Sequence, residues 1–199
     1  NTNIVKLARA EIRRLQAAGK TVKILTIGKK GSDALKRQYG QLIVGHIDRK
    51  SERSVTAEGA ARIAAEITDR FDRAEFDVAT LVFARFKNLL TQIPTAMQLI
   101  PAKAPADAPV VDLQGARYIY EPSEEAILET LLPRYLGTQL LSALLETEAG
   151  FQGAQMTAMD NATRNAGDMI KSLQLRYNRA RQAQITKELI EIISGAEAL

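Results

Sequence analysis

The sequence predicts an α/β body followed by one very long helix. Three observations carry that expectation: β-branched strand segments alternate with amphipathic helical segments through residue 122, the pattern then changes to a single helical element at residue 123, and that element is too long to be packed inside the rest of the chain. Residues 123–199 number 77, which at about 1.5 Å per residue is roughly 115 Å of helix. A folded chain of this size has a radius of gyration near 16 Å. The division expected is therefore an α/β base over residues 1–122 and a shaft over residues 123–199, with a small, open, mainly parallel sheet and flanking helices in the base.

Taken in order, residues 2–18 place Ile4, Val5, Leu7, Ala8, Ile12 and Leu15 on one face and Lys6, Arg9, Arg13 and Arg14 opposite, and end at Gly19. This is the pattern of an amphipathic helix with a glycine stop. Its apolar stripe calls for a sheet, and the helix is expected to follow a strand that precedes Asn1. Residues 21–27 (T-V-K-I-L-T-I) and 41–47 (Q-L-I-V-G-H-I) supply β-branched strands. A helix over 54–71 opens with the capping-box-like Ser54-Val55-Thr56-Ala57 and Glu58. A strand over 77–86 follows, then short strands over 96–100 and 118–120, with the Pro/Ala stretch 101–109 as an exposed loop. Within the long element Ser123 is the expected N-cap, with Glu124 and Glu125 complementing the helix dipole. Pro133 should kink it. Gly137, Gly150, Gly153 and Gly167 should each weaken it by about 1 kcal/mol, and 150–153 is its weakest stretch. Met159, Ala162, Ala166, Met169, Leu173, Arg176 and Ala180 follow 3-4 spacing, a coiled-coil-like seam of largely small residues whose partner is not in the chain.

Composition narrows the function. There is no cysteine, so disulfides, thiolate metal sites and Cys nucleophiles are excluded. No run of 18 apolar residues occurs, so direct membrane insertion is not expected. The net charge of +4 is uneven: residues 1–122 hold 20 Lys+Arg against 13 Asp+Glu, and residues 123–199 hold 7 against 10. Gly28-Lys29-Lys30-Gly31-Ser32 has the composition of a phosphate loop but not the G-x-x-x-x-G-K-[ST] spacing, and is expected to be a plain basic loop without a strand-to-helix turn. His46 is the single histidine, in an apolar strand with no companion ligand, and reads as structural. No acid/base pair, cofactor loop or metal constellation is expected. Residues 169–187 carry Lys171, Arg176, Arg179, Arg181 and Lys187 with no acid. With Tyr177 as the only aromatic there, nucleic acid is not the expected partner. From the residues alone, a coiled-coil interaction subunit or adaptor is preferred to a doubly wound nucleotide-binding enzyme.

The long element carries a more specific signal. M-T-A-M-D-N-A-T-R-N-A at 156–166, Y-N-R-A-R-Q-A-Q-I-T-K-E-L at 177–189 and the terminal Ser194-Gly195-Ala196 resemble the C-terminal helix of the gamma subunits of F-type ATP synthases. Tyr118-Ile119-Tyr120-Glu121-Pro122 is similar to the stretch that leads into that helix, and the similarity extends over the whole chain. One departure stands out: where the family usually has Ser-Glu-x-Ala-Ala-Arg-Met, this chain has Gly150-Phe151-Gln152-Gly153-Ala154-Gln155-Met156. The lack of cysteine and of a long insertion argues against the redox-regulated chloroplast type.

The resemblance implies a central-stalk rotor that couples rotation of a membrane ring to conformational change in a catalytic head. It also implies an N-terminal helix and first strand before Asn1, the helix pairing with the shaft as an antiparallel coiled coil. The implied partners are three alpha and three beta subunits, the epsilon subunit and the membrane c-ring, with no catalytic site, cofactor or metal in the chain itself. Arg181, Gln182, Thr186 and Glu188 are implied as contacts to a catalytic-subunit loop. Leu189, Ile190, Ile192, Ile193 and Leu199 form an apolar bearing tip, and Tyr118, Tyr120 and Glu121 contact the ring and epsilon. The implied location is peripheral, on the cytoplasmic face of a bacterial inner membrane, with the matrix side of the mitochondrial inner membrane as the alternative.

Overall fold

The computed structural model describes residues 2–48, 54–102 and 120–197. The first compact unit is Asn1–Gln152 and the second Gly153–Leu199. Within the first, the amphipathic helix α1 (Thr2–Ala17) precedes strand β1 (Ile24–Ile27), helix α2 (Lys29–Tyr39), a 3₁₀ turn at Gly40–Leu42 and strand β2 (Ile43–Ile47). β1 and β2 pair in parallel, Thr26 beside His46 and Ile27 beside Ile47, which the intervening helix makes possible. Helix α3 (Ala57–Asp72) follows, then strands β3 (Ala79–Asn88) and β4 (Thr91–Ile100).

Two expectations are corrected here. Residues 28–32 are not a plain loop: β1 ends at Ile27, Gly28 makes the turn, and α2 begins at Lys29, so a strand-to-helix turn does exist. Gly28 has φ of 87°, a left-handed conformation that costs a glycine nothing, and its N–H bonds to the carbonyl of Ile47 at 2.9 Å. The sheet is also less parallel than expected. β4 is ten residues long and forms an antiparallel hairpin with β3, so the α/β fold holds one parallel and one antiparallel two-stranded sheet. A short turn joins β3 to β4, and antiparallel pairing is the geometry that such a turn allows.

Two apolar clusters hold this unit together. Ile12 of α1 and Leu35 and Tyr39 of α2 are buried with Val5, Val22, Ile24, Leu42 and Ile43 packed against them. Arg9 adds a polar tie, donating from Nη2 to the carbonyl of Ala34 at 2.9 Å. The second cluster joins Ala60, Ile63 and Ala64 of α3 to Leu99 and Ile100 of β4 and to Leu136 and Leu140 of the long helix. Helix α3 starts three residues later than the expected 54: Thr56 caps it, its hydroxyl accepting from the Gly59 N–H at 3.1 Å. His46 shares a 3.0 Å hydrogen bond with Thr26.

The long helix α4 (Glu124–Glu197) is continuous through Pro133, Gly150 and Gly153. Ser123 caps it, its hydroxyl accepting from the Ala126 N–H at 3.2 Å, with Glu124 and Glu125 in the first turn. The first unit includes α4 as far as Gln152. Of the strand expected over 118–120, Tyr120 is in irregular backbone, while Tyr118 and Ile119 lie outside the described residues. So do 103–109 of the expected loop.

Candidate partner-binding surfaces

The second unit is helix whose side chains, with few exceptions among the described residues, face outward. Met156, Met159, Thr163, Ala166, Ile170, Leu173, Tyr177 and Ala180 repeat at alternating spacings of three and four, so they share one stripe of the helix surface. The seam proposed from sequence shares Met159, Ala166, Leu173 and Ala180 with this stripe. None of the eight is buried, and Met156, Ile170 and Leu173 are 65%, 56% and 56% exposed. A seam this apolar is costly to leave in water, at about 25 cal/mol per Å² of surface that a partner could cover.

From Lys171 onward the other faces of the helix are cationic. Lys171, Arg176, Arg179 and Arg181 make no hydrogen bond or ion pair within the described residues, and their charge is available to another chain. Arg181 and Glu188 are seven residues apart and share a face; Gln182 and Thr186, four apart, lie on the neighbouring one. Thr186 donates to the Gln182 carbonyl at 2.8 Å, and Glu188 accepts from Gln184 at 2.8 Å, so Glu188 is tied within its own helix rather than to Arg181. Lys187 pairs with Glu191 at 3.7 Å. Leu189, Ile190, Ile192 and Ile193 are 53–68% exposed and spread over nearly half of the circumference. Leu199 lies outside the described residues.

At the other end of α4, Tyr120 is 47% exposed and Glu121 is exposed beside it, and Tyr118 is outside the described residues. Leu128, Leu131, Leu132 and Tyr135 add an exposed apolar face to the first turns, at 38–50% exposure. Sequence reasoning did not single out these four. Their i, i+3/i+4, i+7 spacing was the available signal.

An open hollow of about 650 Å³ lies between α3 and the first part of α4, lined by Ala61, Ala64, Ala65, Thr68, Gly137 and Thr138. Asp69, Asp72 and Arg134 are the charged residues of its lining. Among the described residues no group of three or more His, Asp and Glu side chains converges, and no helix is long and apolar enough to cross a membrane.

Comparison with known proteins decides the family of a chain with an α/β unit and a long exposed helix. The family described as ATP synthase matches residues 1–199. The ATP synthase gamma chain of Hyphomonas neptunium is 61% identical over the whole chain, which spans 68% of that relative. The gamma chain of Dinoroseobacter shibae is 58% identical with the same coverage. This chain belongs to the ATP synthase gamma-chain family. As a gamma chain it is the central-stalk rotor subunit of an F-type ATP synthase. Among solved structures, the central stalk and c-ring of the Tetrahymena thermophila mitochondrial ATP synthase includes a chain that superimposes with a TM-score of 0.62 at 25% identity, covering 82% of this chain and 69% of that one. A chain of the Euglena gracilis mitochondrial enzyme, at 20% identity and a TM-score of 0.60, covers 96% of this gamma chain and 67% of its own length and shares the fold.

Proposed function

We propose that this gamma chain does no bond chemistry and acts by presenting different surfaces, at different rotor angles, to three alpha and three beta subunits arranged around α4. A ligand shifts a conformational equilibrium only through differential affinity for its states. An asymmetric shaft at a threefold centre therefore favours a different state in each catalytic subunit it faces. The observation that carries this reading is the unpartnered surface of α4 from Met156 to Ile193, apolar along one stripe, cationic in its middle and apolar again at its end.

Each section has a distinct physical task. The seam from Met156 to Ala180 takes a helical partner, whose close approach Ala166 and Ala180 permit. Contacts of Leu189, Ile190, Ile192, Ile193 and Leu199 with an apolar sleeve are non-directional, and so hold the tip with little angular preference. Arg181, Gln182, Thr186 and Glu188 supply the directional contacts, to a catalytic-subunit loop. At the base, Tyr118, Tyr120 and Glu121 meet the membrane ring and the epsilon subunit, where aromatic rings with polar tips suit a wet interface. The complex so formed holds the chain peripherally at the cytoplasmic face of a bacterial inner membrane. The division of labour follows: base over residues 1–122, shaft over 123–199.

Arg181→Ala tests the directional contact. Losing one partner of a buried, hydrogen-bonded charge pair costs about 2–5 kcal/mol, so proton-driven ATP synthesis by the assembled complex should fall by more than tenfold. Wild-type synthesis in a correctly assembled Arg181→Ala complex would refute the assignment. Tyr120→Ala should reduce the amount of c-ring that co-purifies; normal ring stoichiometry speaks against the basal contact.

A further inference from the structure

Three contacts converge on residues 146–151 of α4, just before the first compact unit ends at Gln152. The Glu146 carboxylate accepts from the backbone N–H of Phe86 at 3.1 Å. That N–H lies where the β3–β4 pairing slips out of register, between Phe86 and Asn88, so the carboxylate serves a donor at the point where the ladder is disrupted. One turn further along, a β-carbon placed on Gly150 would lie 2.9 Å from Cγ of Gln92. A residue without that atom leaves the Gln92 side chain in this place. Gln92 is itself fixed, donating to the carbonyls of Asn88 and Leu89 at 3.4 and 3.1 Å. The neighbouring side chain, Phe151, takes the Lys30 ammonium 5.5 Å from its ring centre. Lys30 stands in the first turn of α2, which packs on the parallel sheet.

We propose that Glu146, Gly150 and Phe151 form a seat that fixes α4 to the hairpin and to α2 at once, and that this seat is the root through which torque passes between the body and the shaft. The inference rests on the rotor role. Apolar packing at Leu136, Leu140 and Leu144 holds the helix against the body but is tolerant of sliding. The seat adds a directional hydrogen bond, a Gln92 side chain lying close against Gly150 and a cation over a ring, each of which depends on the rotation of α4 about its own axis. These three residues are positioning residues and touch no reacting group.

The test uses the full-length subunit in the assembled complex, carrying Glu146→Ala, Glu146→Gln, or Glu146→Ala with Phe151→Ala. Hydrogen exchange at the Phe86 amide should quicken by roughly three- to tenfold in Glu146→Ala, the effect of losing one hydrogen bond, and return close to wild type in Glu146→Gln, whose amide oxygen still accepts. The second readout is the angular fluctuation of a bead on the base, with the head held. Removing two of the three contacts should raise its variance by about twofold, while the subunit's melting midpoint stays near wild type. If Phe151→Ala hinders assembly, Phe151→Leu keeps the bulk and deletes the charged contact. Unchanged exchange in Glu146→Ala, or unchanged variance in the double variant, overturns the seat. A wild-type complex that does not rotate would defeat the rotor reading instead, and leave the exchange result to judge the local contacts by themselves.

Discussion

The two units place the same kinds of side chain in opposite environments. In Asn1–Gln152, Leu99, Leu136, Leu140 and Ile63 are at most 8% exposed and gather helix and strand into shared clusters. In Gly153–Leu199, twelve large apolar side chains are 49–68% exposed. Their leucine and isoleucine content does not distinguish them, since both residues recur in each. The difference lies in what each region must be folded against. The body buries apolar surface within the chain; the helix beyond Gln152 leaves its own exposed. Exposed apolar area of this extent marks an interaction site.

The largest expected contrast is between two leucines of the same helix. Leu140 is 1% exposed and Leu173 is 56% exposed. Leu140→Ala removes buried methyl groups and leaves a cavity, a cost of about 2–5 kcal/mol, visible as a lowered thermal midpoint of the subunit alone. Leu173→Ala should stay within about 0.5 kcal/mol in the same measurement and weaken only the assembled complex. Equal effects of the two in the isolated subunit would mean that the distal helix folds back onto a core of its own, and the comparison would break.

The capping residues sharpen it at a smaller scale. Thr56 caps α3, whose Ala60, Ile63 and Ala64 are in the core; Ser123 caps α4, whose first turns are largely exposed. Thr56→Ala should lower global stability by about 1 kcal/mol. Ser123→Ala should fray only residues near Glu124, read as faster amide exchange in that turn with the unfolding midpoint unmoved.

Legibility in the sequence followed the same division. α1, β1, β2, α3 and β3 were readable because each has a face that repeats at the period of its structure and is buried in the same chain. α2 was hidden because only Leu35 and Tyr39 of K-K-G-S-D-A-L-K-R-Q-Y are buried, too few to set a period against two lysines and a glycine at its start. The β3–β4 hairpin was hidden because its turn carries no Gly or Pro. Asn88 makes the turn instead, its side-chain oxygen accepting from the Leu90 N–H at 3.1 Å. Pro94, paired with Ala84, further masked β4, since proline is expected only at strand edges. The spacing expected from sequence along α4 shares Met159, Ala166, Leu173 and Ala180 with the exposed stripe, while Ala162, Met169 and Arg176 fall off it. Arg181 came to notice through family resemblance rather than through any contact it makes.

The smallest effect separates the units most finely, because it concerns one atom at two places on one helix. Gly150 and Gly167 both occupy α4, and in an isolated helix either would gain about 1 kcal/mol on becoming alanine. At Gly167 an added β-carbon meets nothing within 4 Å, so Gly167→Ala should realise that gain as slower amide exchange through the surrounding turns. At Gly150 the same atom falls 2.9 Å from Gln92 Cγ, and Gln92 can retreat only by giving up its bonds to the Asn88 and Leu89 carbonyls. Gly150→Ala should therefore gain nothing or lose stability, with faster exchange appearing in the hairpin rather than in the helix. A Gly150→Ala subunit stabilised as much as Gly167→Ala would show that α4 does not press on β4 there. The glycine would then be an accident of sequence and not the condition for a close approach.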